Sequence, residues 1–404
     1  MHACWRAGVA PRALLAAWIG LFSALAVAGG LYLNEFATPS MGNAGAGSQA
    51  WASDASTAFH NPAGMTRLDR PQLGLGAGLL VADVKFDPDP DTPVAGNDGG
   101  HAGGLGPILS LNATIPILEN LSFGLNNTSI SGTVLDYDDE WAGRYQVQEI
   151  RVFTAQISPS LAYKLNDRFS IGDGPVIMYG DIEMEVAGPP TTGTGRAKID
   201  VDAWEVGFRA GALLQVTERT RLGLLYQSEL DPDYSGSLEL DPADLDAATD
   251  LSLPFPQMVR ASVYHELNNS WALLGSVGWE DWSQVESILL STEKGTTALP
   301  RNWRDTHHIS AGVHYRPHER WLFQTGVAYD SSPVDKEDRT ADMPMDRQIR
   351  LALGAQYDWS EDVTVGGSFV YADYGDAEID GALLKGDYSD NDLFFFALNA
   401  NWKF

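Results

Sequence analysis

The residues that commonly carry catalysis or bind metals are few here, and their spacing suits neither task. His307 and His308 are adjacent, and neighbouring residues of a strand point to opposite faces, so the two rings cannot hold one ion together. His60 directly precedes Asn61-Pro62, where we expect a structural role. The sequence contains no Gly-x-Ser-x-Gly, His-Glu-x-x-His or Gly-x-x-x-x-Gly-Lys pattern. The sequence therefore predicts a protein that is not an enzyme and that uses no metal or cofactor.

Two arginines are candidates for holding an anionic ligand. Arg209 and Arg350 fall on the polar face of alternating segments, where a guanidinium group could meet a carboxylate. The alternative, which we favour at this stage, is ordinary pairing with acids such as Glu205 and Asp358. The whole chain carries a net charge of −28, which makes nucleic acid an unsuitable partner. We interpret most of the acidic residues as solvated loop residues.

The first 28 residues have the pattern of a secretory signal peptide. Arg6 and Arg12 provide a basic start, and residues 13–28 are an apolar run of 16 residues ending in Ala-Val-Ala. A membrane-spanning helix needs about 20 apolar residues, so a retained anchor is the weaker alternative. Cleavage after Ala28 would remove Cys4, the only cysteine, and leave a chain that forms no disulfide.

The elements that must position any functional side chain are strands. Residues 347–359, 204–216 and 153–165 each alternate apolar with polar or small residues over a length that crosses a bilayer, about 9–11 residues. After residue 28 no apolar run approaches the 18 residues of a spanning helix. In lipid only helices and closed barrels satisfy every backbone group, so a membrane protein of this pattern must be a barrel.

The connections between the strands alternate strictly between short and long. Six short polar turns and seven longer links rich in Gly, Pro and Asp give thirteen connections, hence about fourteen antiparallel strands with both ends in the periplasm. This alternation is typical of a bacterial outer-membrane barrel, with tight periplasmic turns and long outer loops. Phe404 ends an aromatic-rich last strand, which is the usual address for the barrel assembly machinery. Several tryptophans fall near strand ends, as interfacial girdles do: Trp271, Trp279, Trp282, Trp321, Trp359 and Trp402.

Between the signal and the first strand lies a segment crowded with small residues. Residues 29–69 contain many Gly, Ala and Ser, and residues 55–65 have helix-sized apolar content with a stop at Asn61-Pro62. Because small residues let backbone pack closely against a wall, we interpret this segment as a hatch (plug) in the lumen. The predicted organisation is a signal peptide at 1–28, a hatch at 29–69 and the transmembrane barrel at 70–404.

Several sequence blocks resemble the FadL-type family of long-chain fatty acid and aromatic-hydrocarbon transporters. They are residues 33–35 (Leu-Asn-Glu), 41–44 (Met-Gly-Asn-Ala), 54–57, 61–65 (Asn-Pro-Ala-Gly-Met), 137–145, 159–167 and 279–283. The resemblance implies passive uptake of a long-chain fatty acid or similar hydrophobic molecule, with hatch rearrangement and sideways release into the membrane through a kinked third strand. Uptake of aromatic hydrocarbons is the alternative within transport, and an adhesin, a receptor or a lipid enzyme is the alternative of another class.

The resemblance also directs attention to particular residues. The hatch candidates for ligand contact or gating are Leu31, Tyr32, Phe36, Asn61, Pro62 and Ala63. The region matching the kinked strand is Gly124, Leu125, Asn126 and Asn127, where paired asparagines beside a glycine are poor strand formers. Expected partners are the hydrophobic ligand, outer-membrane lipid, lipopolysaccharide and the barrel assembly machinery, and we expect a monomer that binds no nucleic acid.

Overall fold

The computed structural model describes residues 34–188, 195–241, 245–293 and 295–404, so the predicted signal peptide and the candidates Leu31 and Tyr32 lie outside the described residues. Within these ranges one antiparallel sheet of nineteen strands encloses a set of short helices. The strands are β1 (Gln72–Pro88), β2 (Leu105–Leu118), β3 (Leu121–Asp136), β4 (Glu149–Asn166), β5 (Phe169–Ala187), β6 (Arg196–Thr217), β7 (Thr220–Gln227), β8 (Asp233–Asp241), β9 (Leu245–Ser252), β10 (Met258–Glu266), β11 (Trp271–Glu280), β12 (Ser287–Thr292), β13 (Gly295–Pro300), β14 (Thr306–His318), β15 (Trp321–Asp330), β16 (Gln348–Asp358), β17 (Val363–Asp373), β18 (Ile379–Asp380) and β19 (Lys385–Lys403).

The sheet closes into a barrel. Among the described residues, fourteen strands follow one another around the wall, in the order β1 to β7, β10, β11, β14 to β17 and β19. β1 then pairs with β19 from Gln72 opposite Lys403 to Pro88 opposite Gly386, which completes the ring. The other five strands, β8, β9, β12, β13 and β18, extend the sheet beyond one rim. The predicted fourteen-stranded antiparallel barrel is confirmed.

The two rims differ in the length of their connections. Two to four residues join β2 to β3, β4 to β5, β6 to β7, β10 to β11, β14 to β15 and β16 to β17. The connections at the opposite rim are longer, and the extra strands lie there. By the usual rule for such barrels, the rim with short turns faces the periplasm and the rim with long loops faces outward.

The wall has an apolar outside and a polar inside. On β16, Arg350 and Ala352 are 1% and 2% exposed, whereas Leu351 and Leu353 between and beside them are 53% and 60% exposed. The same alternation follows the other wall strands, so large apolar side chains cover the outer surface. Within the described residues every wall strand pairs with two neighbours, so no strand presents a wholly unpaired edge to lipid.

The hatch consists of short helical turns inside the lumen. It contains the 3₁₀ helices Pro39–Asn43 and Pro62–Arg67 and the α-helices Ser48–Trp51 and Thr57–His60. Thr57–His60 ends because Asn61 is extended (φ −165°) and Pro62 starts the next helix. Nearly every hatch side chain is buried, which confirms a compact N-terminal hatch.

Glycines in the wall let the hatch backbone come close. A Cβ on Gly223 of β7 would lie 1.9 Å from the carbonyl oxygen of Gln49, and one on Gly211 of β6 would lie 2.1 Å from Oδ1 of Asn61. Any side chain at either position would displace the hatch, so glycine at these two wall positions allows the hatch to pack against the wall.

At the outer rim an aromatic cluster packs against the barrel mouth. Tyr137 stacks on Trp141 with ring centroids 3.9 Å apart, and its hydroxyl lies 2.8 Å from that of Tyr388. Trp282, predicted to lie in an interfacial girdle, is instead fully buried against Trp303. The reason is that residues 282–284 form a short helix in an outer loop rather than the end of a wall strand. No helix in the described ranges is long and apolar enough to cross a membrane.

Candidate functional site

A narrow cavity, the upper cavity, separates the hatch from the wall on the side of the lumen that faces the outer rim. Its volume is about 40 Å³. The apolar part of its lining is Phe36, Phe59, Ile130, Leu225 and Met258, and the polar part includes Asn34, His60, Gln156, Arg209 and Arg260. An apolar wall with a few convergent polar groups is the usual composition of a ligand site. The volume is far below the roughly 300–1,000 Å³ of such sites, so this arrangement of the hatch is a closed one.

Phe36 is the predicted hatch contact that lines this cavity. Its ring meets that of Phe59 edge-on at 4.5 Å and that of His60 at 6.1 Å. The three rings form one face of the cavity, and a ligand that enters must contact them or displace them. Phe36 therefore lines the candidate site, and its role as a ligand contact stays a prediction.

Asn61, Pro62 and Ala63 are placed differently, because they fasten the hatch to the wall and do not line the cavity. The Asn61 amide donates to the carbonyl oxygens of Gln49 at 2.7 Å and of Ala212 at 3.0 Å, and its Oδ1 accepts from the Ala63 N–H at 3.1 Å. Pro62 and Ala63 lie against Gly172 of β5, where a Cβ would be 2.6 Å from the Ala63 nitrogen. This arrangement joins two parts of the hatch to the barrel through one side chain.

Two arginines reach the cavity, and hatch groups occupy both. Arg209 donates to the Phe59 carbonyl oxygen and to Gln227 Oε1, each at 2.7 Å. Arg260 donates to Asn34 Oδ1 at 2.6 Å and to Glu280 at 2.9 Å. Each guanidinium group thus gives hydrogen bonds to an uncharged hatch oxygen at the cavity wall. Sequence reasoning missed Arg260, although it alternates with Ser262 and Tyr264 on the lumen face of β10.

Arg350, the second predicted carboxylate contact, belongs to a buried ionic network beside the cavity. Its Nε lies 3.1 Å from Glu35 Oε1, and its Nη1 bonds to Asp330. Asp330 in turn lies 2.9 Å from His308 Nδ1. The sequence predicts acids such as Glu205 and Asp358 as partners of the lumen arginines. In the structure Asp358 pairs with Arg316 at 3.6 Å instead. Arg350 pairs with Glu35 and Asp330. The partners differ because they lie on strands and a hatch segment that only the barrel closure brings together.

The hatch end of this network is Glu35. Burial raises the pKa of Glu35 above its ordinary value, and the Arg350 charge opposes that rise. A buried carboxylate beside a buried guanidinium group holds the start of the hatch against β16. The network thus anchors the hatch at one end, and Asn61 anchors it at the other.

His60 contacts two hydroxyl groups without forming a catalytic arrangement. Its Nε2 lies 2.9 Å from Ser40 Oγ and 3.0 Å from Thr38 Oγ1, all three side chains being buried. Burial, helped by the nearby charge of Arg209, lowers the pKa of His60 to about 3. In the described ranges no carboxylate pairs with the ring of His60 to orient it as a general base, and its contacts with Thr38 and Ser40 lie inside the hatch. We interpret these contacts of His60 as packing within the hatch.

The third wall strand contains an irregularity, at a different position from the predicted kink. Residues 124–127 pair in unbroken register with both β2 and β4. Gly124 makes room for Met65 of the hatch, whose Sδ would be 2.2 Å from a Cβ at that position. The register instead shifts between Ser129 and Ser131, where Ile130 is an extra residue.

This shift coincides with a gap in the ladder between β2 and β3. Their pairing runs from Leu118 opposite Leu121 to Ser110 opposite Thr128 and stops there. Farther out, a single bridge between Gly103 and Leu135 joins the two segments again. The part of the wall between these points is the β2–β3 window, residues 104–109 and 129–134. Ile130, within the window, also lines the cavity.

Across the described ranges, no group of three or more His, Cys, Asp or Glu side chains is arranged to hold a metal ion.

The fold and its plugged lumen define a class: an outer-membrane channel whose barrel is closed by its own N-terminal segment. The family model of outer membrane protein transport proteins (OMPP1/FadL/TodX) matches residues 19–404. The chain belongs to this family. It is a non-enzymatic channel of the bacterial outer membrane that transports hydrophobic compounds.

Individual relatives agree with this assignment over nearly the whole chain. A long-chain fatty acid transport protein of Salmonella typhi is 26% identical over an alignment of 442 positions, covering 97% of this chain and 98% of the relative. Among solved structures, a Pseudomonas aeruginosa FadL homologue superposes with a TM-score of 0.87 at 23% identity, covering 93% of this chain and all of that one. The Pseudomonas putida toluene transporter TodX gives 0.71 at 16% identity, covering 92% and 99%.

Proposed function

We propose that this channel takes up long-chain fatty acids. The observation that carries the proposal is the pair of cavity arginines, Arg209 and Arg260, each bonded to an uncharged hatch oxygen. A hatch that moves takes the Phe59 oxygen from Arg209 and the Asn34 oxygen from Arg260, while Arg260 keeps its ion pair with Glu280. A carboxylate is a stronger acceptor for arginine than a carbonyl or amide oxygen, so the head group of a fatty acid can replace the hatch groups.

The apolar rings supply the binding energy for the tail. Burying a methylene group is worth about 0.8 kcal/mol, so a sixteen-carbon chain gains on the order of 10 kcal/mol when fully buried. A cavity of about 40 Å³ does not accommodate such a chain. Entry of the tail therefore requires Phe36 and Phe59 to separate, which couples ligand binding to displacement of the hatch.

The proposed route out is sideways, through the β2–β3 window. Ile130 belongs both to the cavity lining and to the register shift of β3. A ligand leaving between β2 and β3 would cross no ladder hydrogen bonds between Ser110 and Gly103. It would reach the membrane without passing the rest of the hatch.

Uptake of aromatic hydrocarbons is the second candidate. Phe36, Phe59 and His60 offer the cavity three ring faces and edges, which suit a small aromatic molecule. The 26% identical relative is a long-chain fatty acid transport protein. A hydrocarbon has no anionic group that the two arginines could bind. These two points favour the fatty acid.

The proposed partners other than the ligand follow from the surface. Apolar side chains such as Leu351 and Leu398 face outward and contact outer-membrane lipid, with lipopolysaccharide at the outer rim. Phe404 is two-thirds exposed beside the last strand, where the barrel assembly machinery can reach it. We expect the channel to work as a monomer.

Uptake of oleate and of toluene by cells carrying Arg209→Gln or Arg260→Gln variants tests the substrate. Arg304→Gln is the matched control, because Arg304 pairs with Asp335 on the exposed outer surface. We expect oleate uptake to fall at least fivefold in both cavity variants, with toluene uptake and the control unchanged. An equal fall in oleate and toluene uptake would mean that the arginines only stabilise the hatch. Unchanged oleate uptake in both variants would favour a hydrocarbon as the substrate. Mass spectrometry of lipid extracted from the purified protein gives an independent identification.

A further inference from the structure

A second cavity lies at the periplasmic end of the lumen, on the other side of the hatch. Its volume is about 440 Å³, and its lining includes the short turn at residues 268–270. The helix Ser48–Trp51 separates the two cavities, since Ser48 and Gln49 line the upper one and Trp51 lines the lower one. The lower cavity is thus distinct from the site described above.

The lower cavity is basic in a strongly acidic protein. Arg67, Arg221, Arg316 and Lys403 line it, against the acidic residues Asp69 and Glu266. The whole chain has 26 basic and 54 acidic residues, so the local excess of positive charge opposes the general balance. A concave surface of one charge concentrates ions of the opposite charge.

Arg221 is the group that points to a ligand. It is 9% exposed, and its Nε has no hydrogen-bond partner among the residues that the structure describes. Its guanidinium group lies over the ring of Tyr264, 4.3 Å from the centroid, and no carboxylate of the described residues forms an ion pair with it. A buried cation of this kind is costly unless an anion or further acceptors complete its surroundings.

A second arginine in the same cavity adds positive charge that favours binding of an anion. Arg67, at the end of the hatch, repels the charge of Arg221 and donates to Gln215 Oε1 at 2.7 Å, with no ion pair among the described residues. Glu266 acts on both arginines electrostatically from the same wall but lies beyond ion-pair distance of either. Two guanidinium groups that line one cavity without a carboxylate partner among the described residues can each donate to a bound oxyanion.

We propose that this cavity is a binding site for an organic carboxylate, held by Arg221 and Arg67 with the ring of Tyr264 behind it. The carboxylate belongs either to a small free acid or to a long-chain acid, in each case one that reaches the cavity from the periplasmic side. The site does not depend on which substrate the upper cavity takes. Because Arg67 ends the hatch and Arg221 belongs to the wall, a bound carboxylate would also join the two.

Binding of 4,4,4-trifluorobutyrate to the purified full-length protein in nonionic detergent, followed by ¹⁹F NMR, tests the site. We expect saturable binding by the wild type, at least tenfold weaker binding by Arg221→Gln and by Arg67→Gln, and partial retention by Arg221→Lys. The neutral amide of the same acid should not bind. Arg304→Gln, far away on the outer loops, should bind as the wild type does.

Competition then separates the two sources of the carboxylate. Displacement of the probe by palmitate assigns the site to long-chain acids, and binding that palmitate leaves unchanged assigns it to small acids. Equal binding by the wild type and Arg221→Gln, or equal binding of the neutral amide, would overturn the proposal. Heat-modifiable mobility on gels verifies that each variant is folded. Loss of oleate uptake in Arg209→Gln with unchanged probe binding keeps this test separate from that of the upper cavity.

Discussion

Glu35 of the hatch and Arg350 of β16 form a buried ion pair, with Glu35 Oε1 3.1 Å from Arg350 Nε. Both side chains are at least 98% buried, and Asp330 on the neighbouring strand β15 shares the guanidinium group. The pair joins the first described residues of the hatch to a wall strand more than three hundred positions later. Its strength therefore bears directly on how readily the hatch leaves its closed arrangement.

Weakening this pair should loosen the hatch without opening the barrel. In Glu35→Gln, Arg350 keeps Asp330 but loses one charged acceptor, which is worth roughly 1.5–3 kcal/mol. We expect amides of residues 39–67 to exchange with solvent about ten- to a hundredfold faster, measured by hydrogen exchange and mass spectrometry. The control is Glu378→Gln, since Glu378 pairs with Lys336 on the exposed surface. Equal exchange in Glu35→Gln and the wild type would mean that the pair does not hold the hatch.

Acidification should release the hatch through His60. Its pKa is lowered to about 3 in the closed arrangement, so this state resists a proton that the solvent-exposed ring would accept near 6.5. The hatch therefore loses stability as the pH falls below about 6.5, by up to about 1.4 kcal/mol per pH unit. Glu35 contributes a slope of the opposite sign, because its raised pKa favours the closed state as the pH falls.

The difference between the wild type and His60→Gln isolates the histidine. Hydrogen exchange of the hatch at pH 7.5 and pH 5.0, corrected for the intrinsic rate, should show the acid-dependent loosening in the wild type and little of it in His60→Gln. The same pH dependence in both proteins would contradict a role for the buried ring.

A methyl group at Gly223, where the hatch backbone packs against the wall, should displace the hatch. In Gly223→Ala the new Cβ would lie 1.9 Å from the Gln49 carbonyl oxygen, which is backbone and cannot rotate away. We expect the hatch segment to become susceptible to limited proteolysis while the barrel keeps its heat-modifiable mobility. Gly74→Ala is the matched control, because its Cβ would make ordinary contacts, the nearest at 3.4 Å with Ala55. Equal protease resistance in both variants would show that the wall accommodates the methyl group.

Removing the extra residue of β3 should test the sideways route. Deleting Ile130 brings Ser129 and Ser131 into consecutive register with Ala155 and Thr154 of β4. We expect the barrel to form and oleate uptake to fall at least fivefold. Deletion of Asp91 from an outer link provides the control for a one-residue loss. Normal uptake without Ile130 would place the exit elsewhere.

The strands were predictable from sequence because their signals are local. Alternation on residues 347–359 and turn residues such as Asn166 and Asp167 depend only on neighbouring positions, and a strict short-long order gives the strand number directly. The hatch was predictable for the same reason, from small residues and the stop at Asn61-Pro62.

The partners of the buried charges were not predictable, because they depend on strand order and register. Arg350 meets Glu35 and Asp330 only after the barrel has closed around the hatch. The position of the irregularity in β3 is likewise a property of pairing: Asn126 and Asn127 are poor strand formers, yet they pair regularly, and the extra residue is Ile130. Composition alone contains no signal for either feature.

The pairing of β1 with β19 has a consequence for how the molecule is made. The seam joins Gln72 to Lys403, so the ring cannot close until the very last residues of the chain have been delivered. Until then each partial sheet exposes two unpaired edges, and contacts this distant in sequence form slowly. Synthesis and export of the whole chain must therefore finish before the barrel can close.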